Sequence, residues 1–158
     1  LAFADIHTPR VVRVVGDIGL LDSLVMRLKA SAFTSAQGVR EESDIQSLTL
    51  DSGGLVIIVA RERLPDGRVQ GLRIWFRDAA ALRYLDEVEL ARYWSSEDFP
   101  RGHHVLEVQA GGWSEEESAL QGYATKRREW LVVTGNGCVS VFASSEPETA
   151  EVLHEFDA

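Results

Sequence analysis

The densest grouping of reactive side chains in this 158-residue sequence is Gly111-Gly112-Trp113-Ser114-Glu115-Glu116-Glu117. Three consecutive carboxylates beside an indole suit three roles: acid–base chemistry, a charged rim for a basic partner, or the first turn of a helix. Spacing favours the helix. Ser114 stands three residues before Glu117, the Ser-x-x-Glu pattern in which a hydroxyl caps a helix and the glutamate reaches back. Glu115 and Glu116 then occupy the first turn, where the helix dipole favours a carboxylate by about 0.3–1 kcal/mol. Trp113 precedes that cap, and Ser118 stands where its hydrophobic-staple partner belongs. The indole is left to pack elsewhere or to face solvent.

Metal chemistry is not predicted. His103 and His104 are adjacent, so a strand points them to opposite faces. His103 and Glu107 share a face, but two ligands do not close a zinc site. Cys138 is the only cysteine, which excludes a disulfide framework or a four-cysteine zinc site within one chain. It follows a turn rather than opening a helix, and a free cysteine of that kind is usually a small buried hydrophobe. The sequence has no Gly-x-Ser-x-Gly elbow. Gly135-Asn136-Gly137 lacks the Lys and Ser/Thr of a phosphate loop and reads as a hairpin turn. Glu107 and Glu129 fall in or beside predicted strands, on a solvated face or paired with arginine, and Arg127 and Arg128 precede Glu129. No catalytic residue and no cofactor is predicted.

The tryptophans are the remaining candidates. Trp75 lies inside a predicted strand and is expected in the core, with Trp130 at the core edge. Trp94 and Trp113 sit at the boundaries of acidic segments. An indole among carboxylates is the composition of a protein-recognition hot spot, and also of a domain closing its core.

Charge sharpens the choice. Residues 1–79 carry ten Lys/Arg and ten Asp/Glu, whereas residues 80–158 carry six and fifteen, so the whole net charge of −9 belongs to the second half. An acidic surface repels phosphates, which disfavours a nucleic-acid partner. It attracts a basic protein and speeds encounter, although acidic surfaces also serve solubility. The longest pure apolar run is Leu55 to Ala60, the length of a buried strand and far short of a membrane span. No secretory leader is read, and a cytoplasmic location is the expectation.

The elements that must hold these groups are legible from periodicity. Val11 to Val15 reads as a strand, and Leu21, Leu24, Val25 and Leu28 as one face of a helix. Residues 31–43 read as a loop. Ile45–Leu50, Leu55–Arg61 and Val69–Phe76 read as a meander, joined by Asp51-Ser52-Gly53-Gly54 and Leu64-Pro65-Asp66-Gly67 turns. Residues 78–85 fit either a helix or a strand. Asp86 and Glu89 form a capping box for a helix over about 87–95, with Leu90, Tyr93 and Trp94 on its apolar side. A strand around 103–109, the predicted helix after Ser114, and a hairpin over 130–143 follow. Ser145 and Glu148, with Pro147 between them, predict a final helix burying Val152, Leu153 and Phe156. The length suggests one domain spanning residues 1–158. The expected class is α+β, with one antiparallel sheet of about six strands and helices mainly on one face.

Three stretches, "LRYLDEVELARYW" (82–94), "HHVLEVQAGGWSEEES" (103–118) and "REWLVVTGNGCVSVFASSEP" (128–147), resemble in order and spacing the immunity proteins of bacterial polymorphic toxin systems. The similarity covers about the second half of the chain and rests on short patterns. It implies a non-enzymatic inhibitor that binds one cognate toxin or effector domain, with a basic surface, and blocks its active site. Glu87, Glu89, Trp94, Trp113, Glu115 and Glu116 are the residues expected to form that surface. Gly111 and Gly112 serve backbone geometry, and Cys138 and Val139 the core. The alternative is a small hydrolase-type enzyme using Cys138 or Glu107 with a histidine. A third reading is a self-associating structural subunit.

Overall fold

The computed structural model describes residues 27–36, 38–39 and 41–155. The strand expected at 11–15 and most of the helix expected at 21–28 lie outside them. Leu28, which is described, is buried just ahead of the first strand.

Nine strands form two antiparallel sheets, and there are two helices among the described residues. The first sheet has five strands: β1 (Lys29–Ala32), β6 (Val105–Ala110), β7 (Glu129–Val133), β8 (Gly137–Phe142) and β5 (Ala81–Asp86), side by side in that order. The second has four: β2 (Asp44–Asp51), β3 (Gly54–Arg63), β4 (Val69–Phe76) and β9 (Glu148–His154). Helices α1 (Glu87–Trp94) and α2 (Trp113–Gln121) complete the fold. The single six-stranded sheet expected from sequence is therefore corrected to two sheets, while the mixed, antiparallel character stands.

The inner faces of the two sheets share one core. Leu55, Ile57 and Val59 of β3 and Leu72, Ile74 and Phe76 of β4 pack against Val105, Trp130, Val132, Val139 and Val141. Trp130 is fully buried at its centre, beyond the core-edge position expected. Its ring meets Phe33 edge-on at 5.7 Å, and its indole N–H donates to the Ala143 carbonyl at 3.2 Å. The outer face of the five-stranded sheet carries a second apolar cluster, with Leu85, Leu106, Leu131, Val133 and Cys138 beneath Leu90 and Tyr93 of α1. Strands β7 and β8 are thus covered on both faces and buried at every position. That double cover is why Trp130–Val133 reads as an apolar run rather than an alternation.

The other departures have physical causes. Phe156, expected on the apolar side of the final helix, lies outside the described residues, and residues 145–155 do not form a helix. Instead β9 runs antiparallel along the free edge of β4, from Glu148 opposite Trp75 to His154 opposite Val69. An isolated helix of that length is marginal in water, whereas the β4 edge offers a full ladder of backbone partners. The Ser145 hydroxyl and the amides of Ser144 and Ser145 donate to Asp78, so the capping residue is used to anchor the strand's approach. Residues 78–85 resolve as the approach to β5 and most of that strand, which pairs with β8. Part of the expected loop at 31–43 is β1, held by β6. Trp75 is not a core residue. It lies half-exposed on the outer face of the four-stranded sheet, with Arg77 3.8 Å and Arg73 5.0 Å from its ring and its N–H on the Gly53 carbonyl.

Candidate functional site

The six residues expected to meet a partner all belong to the helical side of the five-stranded sheet, and they divide into outward and inward sets. Helix α1 begins where β5 ends. Asp86 Oδ1 accepts from the amides of Val88 and Glu89 at 2.9 and 3.0 Å, the cap expected from sequence. Glu87 and Glu89 occupy the exposed first turn, and Leu90 and Tyr93 turn inward. Trp94 closes the helix half-buried.

Helix α2 is started differently from the expectation. It begins at Trp113, with Gly112 at the cap position and no local side-chain cap. Ser114 is inside the helix, and its hydroxyl accepts from the Arg127 amide and donates to the Thr125 carbonyl. The free amides of Trp113 and Ser114 donate instead to the two carboxylate oxygens of Glu129, at 3.0 and 2.9 Å. The cap thus comes from β7, fifteen residues along the chain from Ser114. Glu129 is 1% exposed, not on a solvated face, and Arg128 beside it pairs with Glu107 and Glu146. Burial pushes the Glu129 carboxyl above its ordinary range, opposed by the two amides and by the nearby Arg83 charge.

The glycines before α2 make this approach feasible. A Cβ on Gly112 would lie 2.6 Å from both Glu129 Oε2 and Val108 Cγ1. Gly111, at φ +71°, passes so close to the Arg27 carbonyl that a side chain would collide with it.

Trp113 and Glu116 face inward. The Trp113 ring stacks on Phe142 with centroids 4.1 Å apart, and its N–H donates to Glu117 at 2.9 Å. Glu117 therefore serves the indole rather than a Ser114 capping box. Glu116 pairs with Arg83 at 2.6 Å and with Arg92 of α1 at 3.3 Å, and Arg83 also donates to the Tyr93 hydroxyl at 2.9 Å. This ionic cluster locks the end of α1 to the start of α2. Glu115 alone of the three glutamates is exposed.

Trp94 lines a cleft of about 420 Å³ with Phe99, Pro100 and His103, closed on the far side by Val133 and Thr134 at the end of β7. Sequence reasoning named Trp94 but missed Phe99 and Pro100, because they lie in an irregular connection with no periodicity to mark them. Cys138, Glu107 and His104 are each buried or paired. Cys138 is fully buried beneath α1, and burial pushes its thiol up to about 12. Glu107 is bound to Arg128 at 2.6 Å. His104 is buried with its Nδ1 on the Val133 carbonyl at 2.7 Å, and burial lowers its pKa. Among the described residues, no group of three or more His, Cys, Asp or Glu is placed to hold a metal ion. No helix among them is long and apolar enough to cross a membrane. Comparison of the chain with protein-family models, with curated proteins and with solved structures finds no match.

Proposed function

We propose that this protein is a binding partner that neutralises a basic toxin or effector domain without turnover, as the resemblance to immunity proteins implies. The observation that carries the reading is the division of acidic groups on the helical face. Glu116, Glu117 and Glu129 are consumed in holding the helices. Glu87, Glu89 and Glu115 stand outward, and among the described residues no cation pairs with them. Fixed carboxylates on a braced surface steer a basic partner and lose little freedom on docking. The partner-facing set is therefore Glu87, Glu89, Trp94 and Glu115, and Trp113 and Glu116 support it from beneath. The hydrolase alternative gains nothing from a buried, protonated Cys138 or from a Glu107 held by arginine.

The test is coexpression with the open reading frames adjacent to this gene. One of them should arrest growth, and this protein should restore it. Changing Glu87, Glu89 and Glu115 together to lysine should abolish rescue while the purified variant still folds cooperatively, with its melting point lowered by the loss of first-turn carboxylates. Absence of a toxic neighbour, or rescue that survives the charge reversal, defeats the proposal or its surface respectively.

A further inference from the structure

We propose that the cleft beside Trp94 seats an apolar side chain carried by a basic segment of the partner protein. The inference rests on the binding reading above and adds the chemistry of what binds. The cleft volume of about 420 Å³ lies in the range of about 300–1,000 Å³ typical of sites that enclose a ligand group. Its walls are apolar where Trp94, Phe99, Pro100 and Val133 meet, which suits a Leu, Met or aromatic anchor of the kind that dominates interfaces.

The charge around the cleft narrows the occupant, and it is acidic. Glu41 lies on its lining, Glu42 and Asp98 are exposed next to lining residues in the chain, and the exposed Glu97 precedes Asp98. Among the described residues none of the four is in an ion pair. The cation on the lining, Arg101, is turned to the Trp94 carbonyl at 2.9 Å. An apolar anchor flanked by lysine or arginine fits both the walls and the rim.

The experiment titrates the ¹⁵N-labelled full-length protein with the capped peptide Lys-Arg-Leu-Arg-Lys, with its alanine-centred analogue, and with indole alone. The leucine peptide should shift amides of residues 94–103 and 133–135 and bind roughly tenfold or more tighter than the alanine analogue, the value of one buried aliphatic anchor. Changing Glu41, Glu97 and Asp98 to lysine should remove most of the salt dependence. Equal binding of the two peptides, shifts elsewhere, or no binding would overturn the proposal. Indole binding here without the peptide would mark a small-molecule site and overturn it as well. The growth-rescue test is independent. If rescue holds and the peptide fails, the cleft proposal falls alone. If the peptide binds and rescue fails, the cleft stands and the toxin reading falls.

Discussion

Glu129 shows how one buried carboxylate can govern a surface. It is the acceptor for two helix amides that have no other partner among the described residues, so removing it leaves two part-buried donors unsatisfied. Glu129→Ala should destabilise the fold by about 1–3 kcal/mol for each abandoned amide, read from chemical denaturation. Glu129→Gln should cost less, since its amide oxygen still accepts one of the two bonds. Cys138 gives a complementary test. With its thiol at about 12, the thiolate fraction at pH 8 is roughly a thousandfold below that of a free cysteine. Native protein should therefore resist iodoacetamide at pH 8 and react promptly once unfolded. Rapid alkylation of the native state would revive the enzyme reading.

At the level of elements, the caps decide what was legible in the sequence. Asp86 caps α1 from the adjacent position, and that helix was readable to within a residue. Asp86→Ala should cost about 0.5–2 kcal/mol, seen as a lowered denaturation midpoint. Ser114-x-x-Glu117 offers the same pattern, but the acceptor for α2 comes from a distant strand, which no local spacing encodes. The Ser145-x-x-Glu148 pattern fails for a related reason. The segment meets an open edge at β4, and tertiary pairing overrides the local signal. The meander and hairpin strands were legible because tight turns fix them locally. The split into two sheets was not, because it depends on which face of Trp130–Val133 each layer covers. Of the candidate surface, residue types were readable, but which carboxylates point outward was not. Adjacent Glu115 and Glu116 have opposite fates.

At the level of the whole molecule, stability and association should respond to solution conditions in predictable directions. His104 is buried and its pKa is lowered, so the unfolded chain takes up its proton first. Stability should fall as pH drops below the ordinary histidine value near 6.5, by at most about 1.4 kcal/mol per pH unit from this one group. Glu129 acts with the opposite sign. Its raised folded pKa gives a contribution complete below the ordinary carboxylate value and lost as pH rises through the folded one. Denaturation between pH 7 and 5 should show the histidine slope flattened in His104→Gln. The association rate with a basic partner should fall steeply with added salt, and stopped-flow mixing at two ionic strengths would read it. The borrowed cap of α2 also carries a kinetic consequence. A helix whose first amides wait for a strand that follows it in the chain has no early local nucleus. During refolding α2 should consolidate only after β7 has docked, and a peptide spanning residues 111–122 should remain coil. In pulsed hydrogen exchange, the Trp113 and Ser114 amides should gain protection in step with the sheet, not ahead of it.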